Sequence, residues 1–313
     1  CTTCGQCSST CPRGVDIPGV FKALRQIAWE ANQPEHGFPS LLWSLFWNEN
    51  PWSQPPSQRA AWAAKLDLPD FDPAQHEILF YVGCTSSYNR RLQKVAHALV
   101  QLLKTAGVKF GYLGNEEPCC GEAALSIGHK PYFDEIAAHT REVFLKKSVK
   151  QLVVLSPHCF DVFKNHYTDM PADWQPFHYT QYMADLLAGG RLSLPGRVER
   201  TITFQDPCYL GRLNGEYDAP RAILSAIPGL KFVEMEPARE AGLCCGGGGG
   251  RMWLETPVGE RFSDLRMDQA VHTGADALAT ACPFCLSCLE DSANLQSGHP
   301  LEVLDVAELA ARS

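Results

Sequence analysis

The residue that could do chemistry in this chain is cysteine: 14 of the 313 residues are Cys, in three spaced sets. Cys84, Cys119, Cys120 and Cys159 recur as Cys208, Cys244, Cys245 and Cys282 at offsets of 124, 125, 125 and 123, so a duplicated domain carries a duplicated site. The third set is Cys1, Cys4, Cys7 and Cys11 followed by Pro12. Its C-x2-C-x2-C-x3-C-P spacing is the one by which bacterial ferredoxins hold [4Fe–4S] cubanes. In two-cluster ferredoxins the fourth Cys of each motif serves the other cluster, so Cys1, Cys4 and Cys7 need a partner from a second motif and Cys11 serves a second cluster. That second motif is expected upstream, and a chain that opens on Cys reads as the C-terminal piece of a longer protein.

The second duplicate reads C-x35-C-C-x36-C-x2-C, through Cys208, Cys244, Cys245, Cys282 and Cys285. Five thiolates are one more than a cubane takes, and the fifth suits a bridge between two irons that opens the cluster. Zinc is the alternative, because C-x2-C also serves zinc sites. Cys288 is expected as a packing residue or free thiol. The run Gly246 to Gly250 lacks the lysine and hydroxyl of a phosphate loop, so it reads as bare backbone, with Gly246 and Gly247 turning N–H groups toward sulfur anions and leaving room for a substrate. Arg251 and Arg212 are the nearest cations in sequence, read either as solvated side chains or as charge compensation and substrate contact. The first duplicate has Val162 where a fifth thiol would fall. Cys84, Cys119, Cys120 and Cys159 are therefore expected to hold a cluster, to hold zinc, or to be an empty remnant. His158 and His178 read as hydrogen-bonded structural residues.

Loops so far apart meet only if the strands before them are parallel neighbours, because ligands sit beyond the carboxyl ends of such strands. The apolar runs predict strands at 78–82, 108–112 and 151–155, repeated at 201–205, 231–234 and 275–280, with helices between them. The fold class is therefore α/β, two duplicated small parallel-sheet domains plus an N-terminal half of an α-helical ferredoxin-type domain. The expected organisation is 1–50 for the partial ferredoxin-type domain, 51–77 for an extended connector, and 78–195 and 196–313 for the two duplicates.

A formal charge of −8, with no basic cluster, argues against a nucleic-acid partner. No apolar stretch approaches the length of a membrane span; Phe38 to Trp47 is too short and reads as a buried or docking helix. A disulfide framework fits poorly with adjacent Cys-Cys pairs and a core of this size, so metal ligation in a reducing compartment is favoured. The expected location is cytoplasmic, with membrane association through a partner or an upstream segment.

CTTCGQCSSTCPRGVDI together with DPCYLGRLNGEYDAPR, CCGGGGGRMW and CPFCLSCLE resembles the D-type family of heterodisulfide reductase subunits, in which a ferredoxin-like C-type part is fused to a cysteine-rich B-type part with two CCG domains. The resemblance implies an oxidoreductase with a noncubane [4Fe–4S] cluster at Cys208, Cys244, Cys245, Cys282 and Cys285. It also implies cubanes at the N-terminal cysteines that relay electrons to it. In the reductases the open cluster takes a substrate sulfur and a disulfide is split in two one-electron steps. Relatives pass electrons between a flavoprotein and quinone, or serve glycolate and lactate oxidation, or sulfite metabolism, and the alternative expectation is an Fe–S subunit that links a flavoprotein of glycolate, lactate or acyl-CoA oxidation to quinone. Implied partners are a flavoprotein or other electron-transfer subunits and a membrane quinone- or haem-binding subunit. Val162 departs from the family's complete domains and puts a second noncubane cluster in doubt.

Overall fold

The computed structural model describes residues 1–295 and 301–313. They divide into two compact units, Cys1–Pro18 with Met183–Ser313 in one and Gly19–Tyr182 in the other. Residues 1–50 are thus shared between the units. Three helices come first: α1 (Gln6–Ser9), α2 (Ile17–Glu30) and α3 (Phe38–Asn48). The last of these buries Phe38, Leu41 and Leu45 but exposes Trp43, Phe46 and Trp47, so its apolar run is covered along one side only.

The first duplicate then runs β1 (Ile78–Tyr81), α4 (Gly83–Tyr88), α5 (Arg90–Thr105), β2 (Phe110–Gly111), α6 (Glu122–Ser126), α7 (Lys130–Lys146), β3 (Gln151–Val154), α8 (Pro157–Asn165), β4 (Gln175–His178) and α9 (Tyr179–Ala188). Its strands pair in parallel in the order β2-β1-β3-β4. Every residue of β1 is buried, and β3 is buried from Leu152 onward, which is the continuous apolar character of a parallel strand covered on both faces. Leu92, Val95, Ala96, Leu99 and Leu103 form the buried stripe of α5, whose first turn is capped by the Asn89 side chain accepting from Arg91 and Leu92 N–H.

The second duplicate follows as β5 (Thr201–Gln205), α10 (Asp218–Ala226), β6 (Lys231–Phe232), α11 (Phe262–His272), β7 (Ala277–Thr280), α12 (Pro283–Leu295), β8 (Glu302–Asp305) and α13 (Val306–Ala311). Its order, β6-β5-β7-β8, again all parallel, repeats the first. The molecule is therefore the duplicated parallel α/β fold that the cysteine offsets imply. In each sheet the chain leaves the inner strand for one edge and returns to the other side. That reversal opens a crevice at the carboxyl ends of β1 and β3, and of β5 and β7.

Two differences from the sequence expectation have physical causes. The edge strands β2 and β6 are shorter than the apolar runs that announce them, because the chain peels off the sheet toward the cysteine loop. Residues 51–77 are not an extended connector: Arg59, Trp62 and Phe71 are buried, and Phe71 N–H donates to Tyr112 O at 2.9 Å beside β2. A sheet edge paired in this way offers fewer open hydrogen bonds to other chains.

Candidate functional site

Cys208 follows β5, Cys244 and Cys245 follow β6, and Cys282 and Cys285 sit just before and within the first turn of α12, after β7. All five are buried. Cys208 Sγ lies 3.8 Å from Cys244 Sγ. The Cys285 thiol hydrogen-bonds with both Cys245 and Cys282. Pro283 opens α12, where its missing N–H costs nothing, and the helix start aims Cys285 back at the crevice. Gly246, at φ +90°, donates its N–H to Cys244 Sγ at 3.3 Å. The hydrogen bond with Cys244, reinforced by burial, drives the Cys208 thiol well above its ordinary pKa. Hydrogen bonds with Cys245 and Cys282, again with burial, do the same to Cys285. Thiols held like this surrender their protons to a cation that takes the protons' place.

The N-terminal loop meets this set. Cys4 is hydrogen-bonded with Cys244, and that bond, ahead of burial, raises its pKa strongly. Thr2 Oγ1 stands 3.9 Å from Cys244 Sγ, and the Thr3 hydroxyl bonds the Tyr209 hydroxyl at 2.7 Å in a buried contact. A Cβ on Gly249 would stand 2.6 Å from Cys1 O, and one on Gly248 would overlap Thr2 O. The glycine run thus does what its bare backbone suggests at Gly246, and at Gly248 and Gly249 it does something the sequence alone does not reveal, admitting the backbone of residues 1–3. Cys1 and Cys7 are exposed and Cys11 is half-buried. Backbone N–H groups of Val15 and Arg13 lower the Cys11 pKa.

A cavity of about 1000 Å³ opens over Cys245, Gly246 and Gly247, walled in part by Arg251, Phe262 and Cys288. Arg251 Nη2 donates to Thr256 Oγ1 at 3.0 Å. Cys288 Sγ would lie 3.0 Å from a Cβ on Gly247, so the absence of that Cβ is what admits the thiol.

In the first duplicate, Cys84 follows β1, Cys119 and Cys120 follow β2, and Cys159 lies in the first turn of α8. Their thiols are linked in a chain, Cys84 with Cys119, Cys119 with Cys120, and Cys120 with Cys159. The bond with Cys120 is the largest influence lifting Cys119 to about 12. Gly83, at φ +76°, would set a Cβ 3.5 Å from Cys159 Sγ. Val162 is fully buried on α8, an apolar filler where the second duplicate has Cys285. His158 Nδ1 lies 3.3 Å from Glu122 Oε1, and His178 Nδ1 lies 2.7 Å from Thr180 Oγ1.

Sequence reasoning misses the buried cations beside both sets. Arg59 Nη2 donates to Glu117 Oε1 at 2.8 Å, and Glu117 also accepts the N–H groups of Val82 and Gly83 at 3.0 Å each. The Arg59 charge favours the thiolate forms of Cys84 and Cys119. Arg266 is fully buried and donates to Gln205 Oε1 at 2.5 Å. Burial holds it down to about 10, opposed by the carboxylate of Asp206 and by Cys285. All fourteen cysteines are unbridged. Among the described residues no group of three or more His, Cys, Asp or Glu side chains closes on one point tightly enough for a single ion.

A family profile described as CCG, cysteine-rich domain, matches residues 78–164 and 202–290. The chain is 35% identical over 323 residues to the probable iron-sulfur-binding oxidoreductase FadF of Bacillus subtilis, covering 100% of this chain and 46% of that one. It is 35% identical to the EtfAB:quinone oxidoreductase of Syntrophomonas wolfei, covering 99% and 45%. It is 34% identical to the D-type subunit of the dihydromethanophenazine:CoB--CoM heterodisulfide reductase of Methanosarcina barkeri, covering 100% and 77%. The chain spans about half the length of the first two of these relatives. Two cysteine-rich domains in tandem and this likeness along the whole chain place it in the heterodisulfide reductase D-like family of iron–sulfur proteins.

Proposed function

We propose that this chain is the iron–sulfur electron-transfer part of a heterodisulfide-reductase-like oxidoreductase, in which electrons would pass from a centre held by the N-terminal cysteines to one held by the second cysteine-rich domain. The observation that carries this reading is the seating of residues 1–4 against Cys244 and Tyr209, which brings a ferredoxin-type motif against a five-cysteine crevice. The donor set fits iron and sulfur: buried thiols in mutual contact, with the Arg266 guanidinium near them, suit an anionic thiolate centre. Cys1, Cys4 and Cys7 would hold a cubane completed from outside this chain, and Cys208, Cys244, Cys245, Cys282 and Cys285 a noncubane [4Fe–4S] cluster. Such clusters, when bound, store and release single electrons. The protein's own part is to keep the two sulfur sets close, to bury the second of them, to direct the Gly246 N–H at Cys244, and to leave the cavity beside Cys245 open to an acceptor. In the leading reading that acceptor is a disulfide.

A second reading is favoured by the relatives named EtfAB:quinone oxidoreductase and FadF. In it the same two centres link a flavoprotein to quinone, and a membrane partner or an upstream segment brings the chain to the bilayer. No helix among the described residues is long and apolar enough to cross a membrane.

Cys245→Ser tests the assignment of the second set. It is expected to abolish the low-temperature magnetic signal that the oxidised protein gives with added thiol, and to leave ferredoxin-type signals in place. Unchanged spectra would remove Cys245 from the centre.

A further inference from the structure

Arg212 ties together, through one guanidinium, the backbones of the two loops that carry Cys4 and Cys244. Its Nε donates to Cys4 O at 2.8 Å, and its Nη1 donates to Gly242 O at 2.6 Å and Glu240 O at 3.1 Å, on the loop that leads into Cys244. Its Nη2 is buried with no hydrogen-bond partner. The fully buried Arg266 comes to the same place: a Cβ on Gly242 would stand 3.5 Å from Arg266 Nη2, which is likewise buried and unpartnered. Two like charges thus converge on Gly242 and repel each other. An unused buried donor on each is costly unless an anion completes it. The anions that act on Arg266 are the Asp206 carboxylate and, after it, Cys285.

We propose that Arg212 is a coupling residue, which fastens the loop of Cys1 to Cys7 onto the second cysteine set and holds a fixed positive charge where electrons cross between them. The inference rests on the electron-transfer reading above and adds to it a residue outside the ligand set. One electron leaves the centre on the N-terminal thiolates, oxidising it by one, and arrives at the centre on Cys208 and Cys244, reducing it by one. No bond in the chain forms or breaks, and no proton moves. The reductant is a low-potential one-electron donor such as a reduced flavoprotein, replaced by dithionite in the test. A guanidinium beside a sulfur-ligated centre stabilises its more negative, reduced form, and hydrogen bonds to sulfur act in the same direction. Gly248 and Gly249 complete the fastening, because any side chain there displaces residues 1–3.

The test is a redox titration followed by electron paramagnetic resonance on the anaerobically purified, iron-loaded full-length protein, with iron and acid-labile sulfide counted for each variant. Arg212→Gln, which removes the charge, is expected to lower the midpoint of the N-terminal centre by at least the ~59 mV that corresponds to a tenfold change in a one-electron equilibrium. Arg212→Lys, which keeps the charge, is expected to stay within that interval. Gly248→Ala is expected to lose at least half of the magnetic broadening between the two centres while both retain iron. Loss of N-terminal iron in Arg212→Gln with retention in Arg212→Lys also supports the fastening role. Iron-loaded Arg212→Gln and Gly248→Ala with unaltered midpoints and unaltered broadening would overturn this inference and leave the electron-transfer reading standing. A wild-type protein without iron and sulfide would sink both.

Discussion

At the scale of single residues, thiols are gathered and guanidinium groups are buried beside them. The Arg59–Glu117 pair illustrates the cost: both side chains are nearly inaccessible, and Glu117 also collects two N–H groups from the turn before Cys84. Removing one partner of a buried, hydrogen-bonded pair leaves an uncompensated charge, so Arg59→Met is expected to destabilise the chain by about 3–5 kcal/mol, read as a lower denaturation midpoint. An unchanged midpoint would mean that water reaches Glu117. The cysteines themselves are legible from sequence, because a duplicated topology forces near-constant offsets between loops that feed one crevice. Arg59 and Arg266 are not, and for Arg212 the sequence shows a nearby cation without its partner. Arg59 finds Glu117 58 residues away, and Arg212 finds Cys4 208 residues away, distances over which no local pattern operates.

At the scale of elements, the inner strands are the readable part. β1, β3, β5 and β7 are announced by apolar runs, and α8 and α12 by the prolines at their first positions. β4 and β8 are not foreseen: QPFH and EVLD are too short and too mixed to declare a period, and they become strands only because β3 and β7 offer them an open edge. The fit of α2 depends on one such tertiary detail. Gly128, at φ +81°, would set a Cβ 2.5 Å from Arg25 Cβ and 2.7 Å from Lys22 O, so nothing larger than hydrogen fits there. Arg25 Nη1 and Trp29 Nε1 donate to Ser126 O and Ile127 O just before that glycine, at 2.6 and 2.9 Å. Gly128→Ala is expected to push α2 off this turn and to cost about 1–3 kcal/mol, seen as a lower melting temperature. Protection of α2 amides from hydrogen exchange should fall with it, whereas full protection would show that the helix tolerates the shift.

At the scale of the whole chain, one topology used twice has diverged in its chemistry. Both sheets present a crevice with four thiols, but the second adds Cys285, the contact of Cys4 with Cys244, and a cavity over Cys245, whereas the first has Val162 and a buried ion pair. The second crevice is therefore the one to which the proposed exchange with a partner or substrate is assigned. The most direct measurement of the central claim is the metal and acid-labile sulfide content of the protein purified without oxygen. Iron and sulfide in equal amounts, with Cys208→Ser losing part of each and keeping the ferredoxin-type fraction, is the predicted result. Zinc in place of iron, with no labile sulfide, would contradict it.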